Sequence, residues 1–174
     1  DMFNGITPQK STGSALADDD VKTVRYWIYS PGDNACKWNE FYSAGIMSIG
    51  WGAIGNLTEF NSKDEMKLKL KECYGQQYSH RNSAHATWQF VNEMKPGDII
   101  FVKKGMYKLI GRGVVEGEYE NETYTDDDEY SHSRRVNWTH IGEWEHPGQA
   151  VMKTLTDITP YTEYVEKLNA LFSK

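Results

Sequence analysis

Apolar and polar positions along the chain change period several times, and each change marks an element. Residues 24–29 are rich in β-branched and aromatic side chains and stop at Pro31-Gly32, which predicts a strand running into a turn. Asp33 or Asn34 then stands where a helix cap is expected. Trp38, Phe41 and Tyr42 fall at i, i+3 and i+4, giving that short helix one apolar face. Gly45 is its C-cap candidate, and residues 46–51 read as a second strand that ends in a Trp between two glycines.

Further along, Ser62-Lys63-Asp64-Glu65 has the spacing of a capping box and opens a helix carrying Met66, Leu68 and Leu70 toward Tyr74, with Gly75 ending it. Residues 82–94 form the next predicted helix, with Ala84, Trp88, Val91 and Phe90 as core candidates, stopped by the Lys95-Pro96-Gly97-Asp98 turn. Residues 98–103 and 109–119 predict two strands, and Gly111 and Gly113 in the second predict a bulge or a tight barrel corner. After an acidic loop, residues 134–139 predict another strand. From Thr159-Pro160 onward, Tyr161, Tyr164, Val165, Leu168, Leu171 and Phe172 keep helical spacing, which predicts a packed C-terminal helix.

Residues 1–20 lack a periodic apolar pattern and read as a flexible leader, leaving residues 21–174 as one domain. Strands do not alternate with helices as a doubly wound sheet requires, but cluster around residues 98–139. The expected class is α+β: a small, bent mixed β-barrel with flanking helices.

Composition removes several function classes. No apolar run approaches the roughly 18 residues of a membrane span, and no signal-peptide pattern opens the chain, so no membrane partner and a cytoplasmic address are expected. Cys36 and Cys73 stand far apart, without the pairing of a zinc site or a disulfide framework. The five histidines show no HExxH spacing, no GxSxG elbow or Walker sequence occurs, and Gly111-x-Gly113 lacks the third glycine of a dinucleotide loop. A binding domain without metal or cofactor is expected, not an enzyme.

The net charge of −6 argues against a broad electrostatic grip on nucleic acid. Its distribution is uneven, however. Acids cluster at Asp18-Asp19-Asp20 and between Glu116 and Glu129, whereas Lys103-Lys104 and Arg134-Arg135 flank strand-like segments. A local basic rim and a set of solvated strand ends are both compatible with this pattern.

Six Trp and eleven Tyr are more than a core of this size requires. Trp27, Trp88 and Trp138 lie inside strand or helix patterns and are assigned to the core, while Trp38 is balanced between core and site. Trp51 is the best candidate for an exposed ring, because Gly50 and Gly52 leave its face open. Stacking a base on an aromatic ring is worth about 1–3 kcal/mol, which helps offset the few kcal/mol of unstacking it.

The run YWIYSPGDNACKWNEFYSAGIMSIGW, followed by WQFVNEMKPGDIIFVKKG, LIGRGVVEGEY and HSRRVNW, resembles the EVE/YTH-like branch of the PUA-like superfamily. The nearest version is the N-terminal domain fused to McrB-type modification-dependent restriction motors. That resemblance implies a bent barrel that reads a modified base extruded into an aromatic cage. It places Trp51 as one wall, with Gly52 beside it, Ser30 and Asn34 on the base edge, and Trp38 nearby. It draws the opposite wall first from Tyr119, with Tyr124 or Tyr130 as the alternatives, and makes Lys103, Lys104, Arg134 and Arg135 phosphate contacts. The function it implies is recognition of a methylated base in DNA, N6-methyladenine ahead of a modified cytosine, for phage defence. An AAA+ motor and a nuclease would be the partners. An RNA-binding module of the same fold and a peptide-binding groove are the alternatives.

Overall fold

The computed structural model describes residues 23–125 and 128–173. The expected leader, residues 1–20, lies outside them. The described elements are β1 (Tyr26–Tyr29), α1 (Trp38–Ala44), β2 (Ile46–Ile49), α2 (Lys63–Tyr74), α3 (Arg81–Trp88), β3 (Ile99–Lys104), β4 (Lys108–Val115), β5 (Glu120–Asn121), β6 (His132–Glu145), β7 (Leu155–Asp157) and α4 (Thr162–Phe172). Among them no helix is long and apolar enough to cross a membrane.

The strands form one sheet in the order β2-β6-β4-β3-β1-β7, with β5 beside β6. β1 and β3 run parallel, and the other pairs are antiparallel. The mixed α+β architecture is the one expected. The sheet is a curled half-barrel, since its path ends at β2 and β7 without a ladder between them. A side chain links strands that share no ladder: the Tyr29 hydroxyl donates to the Ser48 carbonyl at 2.5 Å and accepts from the Ser48 N–H at 3.0 Å.

Alternation along β1 and β3 divides the core in two. Trp27, Tyr29, Ile100 and Val102 face the main core with α1, α2 and α3, together with Met47 and Ile49 of β2. Ile28 and Phe101 point to the other face, where Tyr164, Val165, Leu168 and Phe172 of α4 cover them. Both faces of these strands are thus buried, which is why their sequences read as continuous apolar runs.

Gly111 and Gly113 sit where the ladders of β4 skip residues, so the expected bulge is present. A Cβ on Gly111 would lie 2.6 Å from a Trp38 ring carbon, and one on Gly113 would lie 2.5 Å from the Trp138 ring. The absent side chains let those two indoles pack edge to face at 4.8 Å.

Several local expectations change. The turn after β1 is a 3-10 segment, Asp33–Ala35, and α1 begins after Lys37 with no side-chain cap bond. Gly45 does cap α1 in the left-handed conformation, at φ 69. β2 stops at Ile49, short of Trp51. Ser62 caps α2, accepting from Glu65 N–H at 3.2 Å. Leu68 is exposed, because it lies two residues, some 200°, around the helix from the buried Met66. The helix after α2 widens after Trp88 and ends in a π-helical turn, Gln89–Glu93. β6 runs over 14 residues, far beyond the predicted 134–139, because its two halves pair with different strands. β7 was not predicted at all.

Candidate functional site

A cavity of about 430 Å³ opens where the turn after β1, the segment after β2, the end of β3, the loop before β6 and residues 152–154 meet. Ser30, Asn34, Trp51, Lys103, Tyr130 and Met152 are among its lining residues. Two aromatic side chains from well-separated parts of the sequence therefore share one space with hydroxyl and amide groups.

The backbone around this cavity is unusual. Four non-glycine residues have positive φ among those described, and Asn34 (φ 53), Ala35 (φ 58) and Trp51 (φ 65) are three of them. Asn tolerates this region, whereas a bulky aromatic there is an outlier. Such a conformation costs on the order of 1–3 kcal/mol and persists only when neighbours enforce it.

At Trp51 the enforcing contacts are visible. The Trp51 carbonyl can only accept, so His132 Nε2, 3.0 Å away, must carry the proton. Neutral His132 then accepts at Nδ1 from the Tyr119 hydroxyl at 2.8 Å, and the Tyr119 oxygen accepts from the Leu57 N–H at 3.1 Å. Burial holds the His132 pKa below its ordinary value, consistent with the neutral ring. Burial also pushes the Tyr119 hydroxyl up to about 12, so it keeps its proton. On the other side, the Gly52 N–H donates to the Glu129 carbonyl at 3.0 Å. A Cβ on Gly52 would lie 2.6 Å from that same oxygen, so glycine is what allows the approach.

Tyr119, the first choice for the opposite wall, is thus taken up in this relay and does not line the cavity. Its ring stacks on His132 at 5.9 Å. Tyr124 packs its ring edge beside Gly52. Tyr130 is the tyrosine that lines the cavity, set edge to face against Phe41 at 5.6 Å, with Lys37 Nζ 5.3 Å from its ring centre. Trp38 is buried in the core against Trp138 and Gly111, away from this cavity.

The basic residues separate as well. Arg134 is buried, and its guanidinium donates to the carbonyls of Phe90 at 3.0 Å, Gly117 at 3.0 Å and Val91 at 3.5 Å. It satisfies two carbonyls of the helix-ending turn and one of the loop after β4, and this arrangement removes it from the phosphate contacts. Arg135 is exposed beside Gly117, and Lys104 borders a different cleft with Trp38 and Ile141. Lys103 lines the cavity but is buried, with Nζ donating to the Val151 carbonyl. Burial pushes its pKa down to about 8. The cations that line the cavity without being buried are Lys37 and Lys153, with Asp33 and Glu129 as the facing acids.

Lys37, Lys153, Met152 and Thr154 were not anticipated. Residues 147–154 carry no periodic pattern, and they reach the cavity through pairing: Ser30 N–H donates to the Thr154 carbonyl at 2.9 Å, and β7 continues antiparallel to β1. Among the described residues no group of three His, Cys, Asp or Glu side chains could hold a metal ion, and both cysteines are free.

The chain is similar to the solved YTH domain of the Zygosaccharomyces rouxii MRB1 protein in complex with N6-methyladenosine RNA, with 10% identity, a TM-score of 0.48 and 95% of each chain covered. It is also similar to the Mmi1 YTH domain, with 11% identity, a TM-score of 0.47, and 86% of this chain and 88% of that one covered. A complex of YTH domain-containing protein mmi1 with RNA gives 12% identity, a TM-score of 0.47 and coverage of 85% and 81%. No curated protein matches the sequence. A family model matches residues 27–162, and the chain belongs to that family, described as a domain of unknown function (DUF8426).

Proposed function

We propose that this domain binds a single modified base, extruded from its strand, in the cavity between Trp51 and Tyr130. The observation that carries the reading is the convergence of these two rings on one space of about 430 Å³, edged by Ser30 and Asn34. A pocket of this size, with two aromatic residues set among convergent polar and charged side chains, suits a small planar ligand with a polar edge. A flat base would stack on Trp51 while its edge meets the hydroxyl, the amide and the exposed backbone of the left-handed turn. A methyl group on the base removes apolar surface from water, worth roughly 0.8 kcal/mol. The preference for modified over plain nucleic acid is then about fourfold.

The finer reading is a methylated base in DNA, with N6-methyladenine first and a modified cytosine second. On the sequence resemblance alone, the domain would supply specificity to a modification-dependent restriction system whose motor and nuclease lie elsewhere. The test is fluorescence anisotropy with matched DNA and RNA oligonucleotides, plain or carrying either modification, at two salt concentrations. Preference for one modified oligonucleotide is expected, and Trp51→Ala is expected to abolish that preference while the domain stays folded. Equal binding of modified and plain strands by the native domain would overturn the proposal. Tighter binding of modified RNA than of modified DNA would move it to the RNA reading.

A further inference from the structure

Met152 is the most exposed large hydrophobic side chain among the described residues, at 75%. It stands on the rim of the Trp51 cavity and also borders a second cleft of about 150 Å³, formed with Asn82, Ser83 and His85 of α3. Trp51 and Lys153 border both spaces as well, so the segment at 152–153 divides them.

Its neighbours are tied down. The Ala150 N–H donates to the Met106 carbonyl at 2.7 Å, the buried Lys103 ammonium donates to the Val151 carbonyl, and the Thr154 carbonyl accepts from Ser30. Leu155 is then paired with Tyr29. Two residues therefore project from a braced bend, one apolar and one cationic. A free apolar side chain held out beside a cation fits a surface that is apolar within and anionic outside, as a stack of bases between phosphates is.

Resting on the base-binding reading above, we propose that Met152 is a wedge that enters the gap left in a duplex when the base moves into the cavity, with Lys153 on the adjacent phosphate. Extrusion leaves an unstacked step, and methionine is among the apolar side chains that fill such steps. Its unbranched, polarisable thioether adapts to ring faces. Lys103 takes a role different from the expected phosphate contact, that of bracing the wedge from behind. The proposal sets the substrate as duplex.

The experiment compares the native protein, Met152→Ala and Met152→Leu on duplex and single-stranded oligonucleotides of one sequence, each with or without N6-methyladenine. Met152→Ala should weaken binding to the modified duplex by about tenfold, a fraction of what one unstacked step costs. The loss on the modified single strand, where Met152 only edges the cavity, should be several-fold smaller, and Met152→Leu should behave as native. An equal loss on both substrates, no loss on the duplex, or native protein that binds only single strands overturns the wedge. Native protein indifferent to the modification on the single strand overturns the base reading itself and the wedge with it.

Discussion

Trp51 reaches its position through its backbone, not through a strand. At φ 65 its peptide is held by the His132 ring on one side and by the Glu129 carbonyl on the other. Tyr119 matters at one remove, since its hydroxyl donates to His132 Nδ1 and so holds the ring whose Nε2–H reaches the Trp51 carbonyl. Tyr119→Phe removes a donor to His132 and an acceptor for Leu57, leaving two partly buried groups unpaired. The expected loss is about 1–3 kcal/mol in urea unfolding, and the preference for the modified base should fall because the Trp51 turn loosens. If the preference survives intact, the relay does not position Trp51. Of the residues singled out in the sequence, Trp51 was legible because flanking glycines and a broken strand are local signals. The burial of Arg134 was not. An Arg-Arg pair looks solvated until the carbonyls of Phe90, Val91 and Gly117 arrive from segments distant in sequence.

At the scale of elements, the curl of the sheet depends on β4. Its two bulges let β3, β4 and β6 bend around the indoles of Trp38 and Trp138, and glycine at 111 and 113 leaves room for those rings. Gly113→Ala puts a methyl group 2.5 Å from the Trp138 ring and 2.8 Å from the Asn137 carbonyl. Overpacking of this kind is expected to destabilise the fold by about 1–3 kcal/mol, seen as a lower denaturation midpoint. A variant as stable as the native chain would show that the strands yield there without cost. The bulge was predictable from the pair of glycines. The length of β6 was not, since a strand that changes partners halfway has no single period of burial along it. Leu68 misled for the opposite reason: an apolar residue counted toward a face that the helix turns away from the core.

For the molecule as a whole, two buried histidines link stability to pH. His132 sits in the Trp51 relay, and His146 is paired through Nε2 with the Tyr164 hydroxyl beneath α4. Burial is the main cause holding both below their ordinary pKa. The unfolded chain therefore binds protons that the folded one refuses once the pH falls below about 6.5. Stability is full above that value and is lost as the pH drops toward the folded pKa values. The urea midpoint should be lower at about pH 5.5 than at about pH 7.5, and His132→Gln should flatten that difference. A midpoint that rises on acidification would contradict the assignment.

The sequence by itself determined the elements with a clear period, namely the strand into Pro31-Gly32, the helices that became α2 and α4, the bulged glycine strand, and one aromatic ring set between glycines. Each depends on contacts within a few residues, where spacing alone carries the physics. The tertiary structure decided what shares the cavity: Tyr130 and not Tyr119 in the lining with Trp51, Lys37 and Lys153 at its edge, Met152 bordering two clefts. These arise because β7 pairs with β1 and because one buried histidine selects which tyrosine is consumed in support. Long-range pairing and burial leave no periodic trace in the residues they bring together.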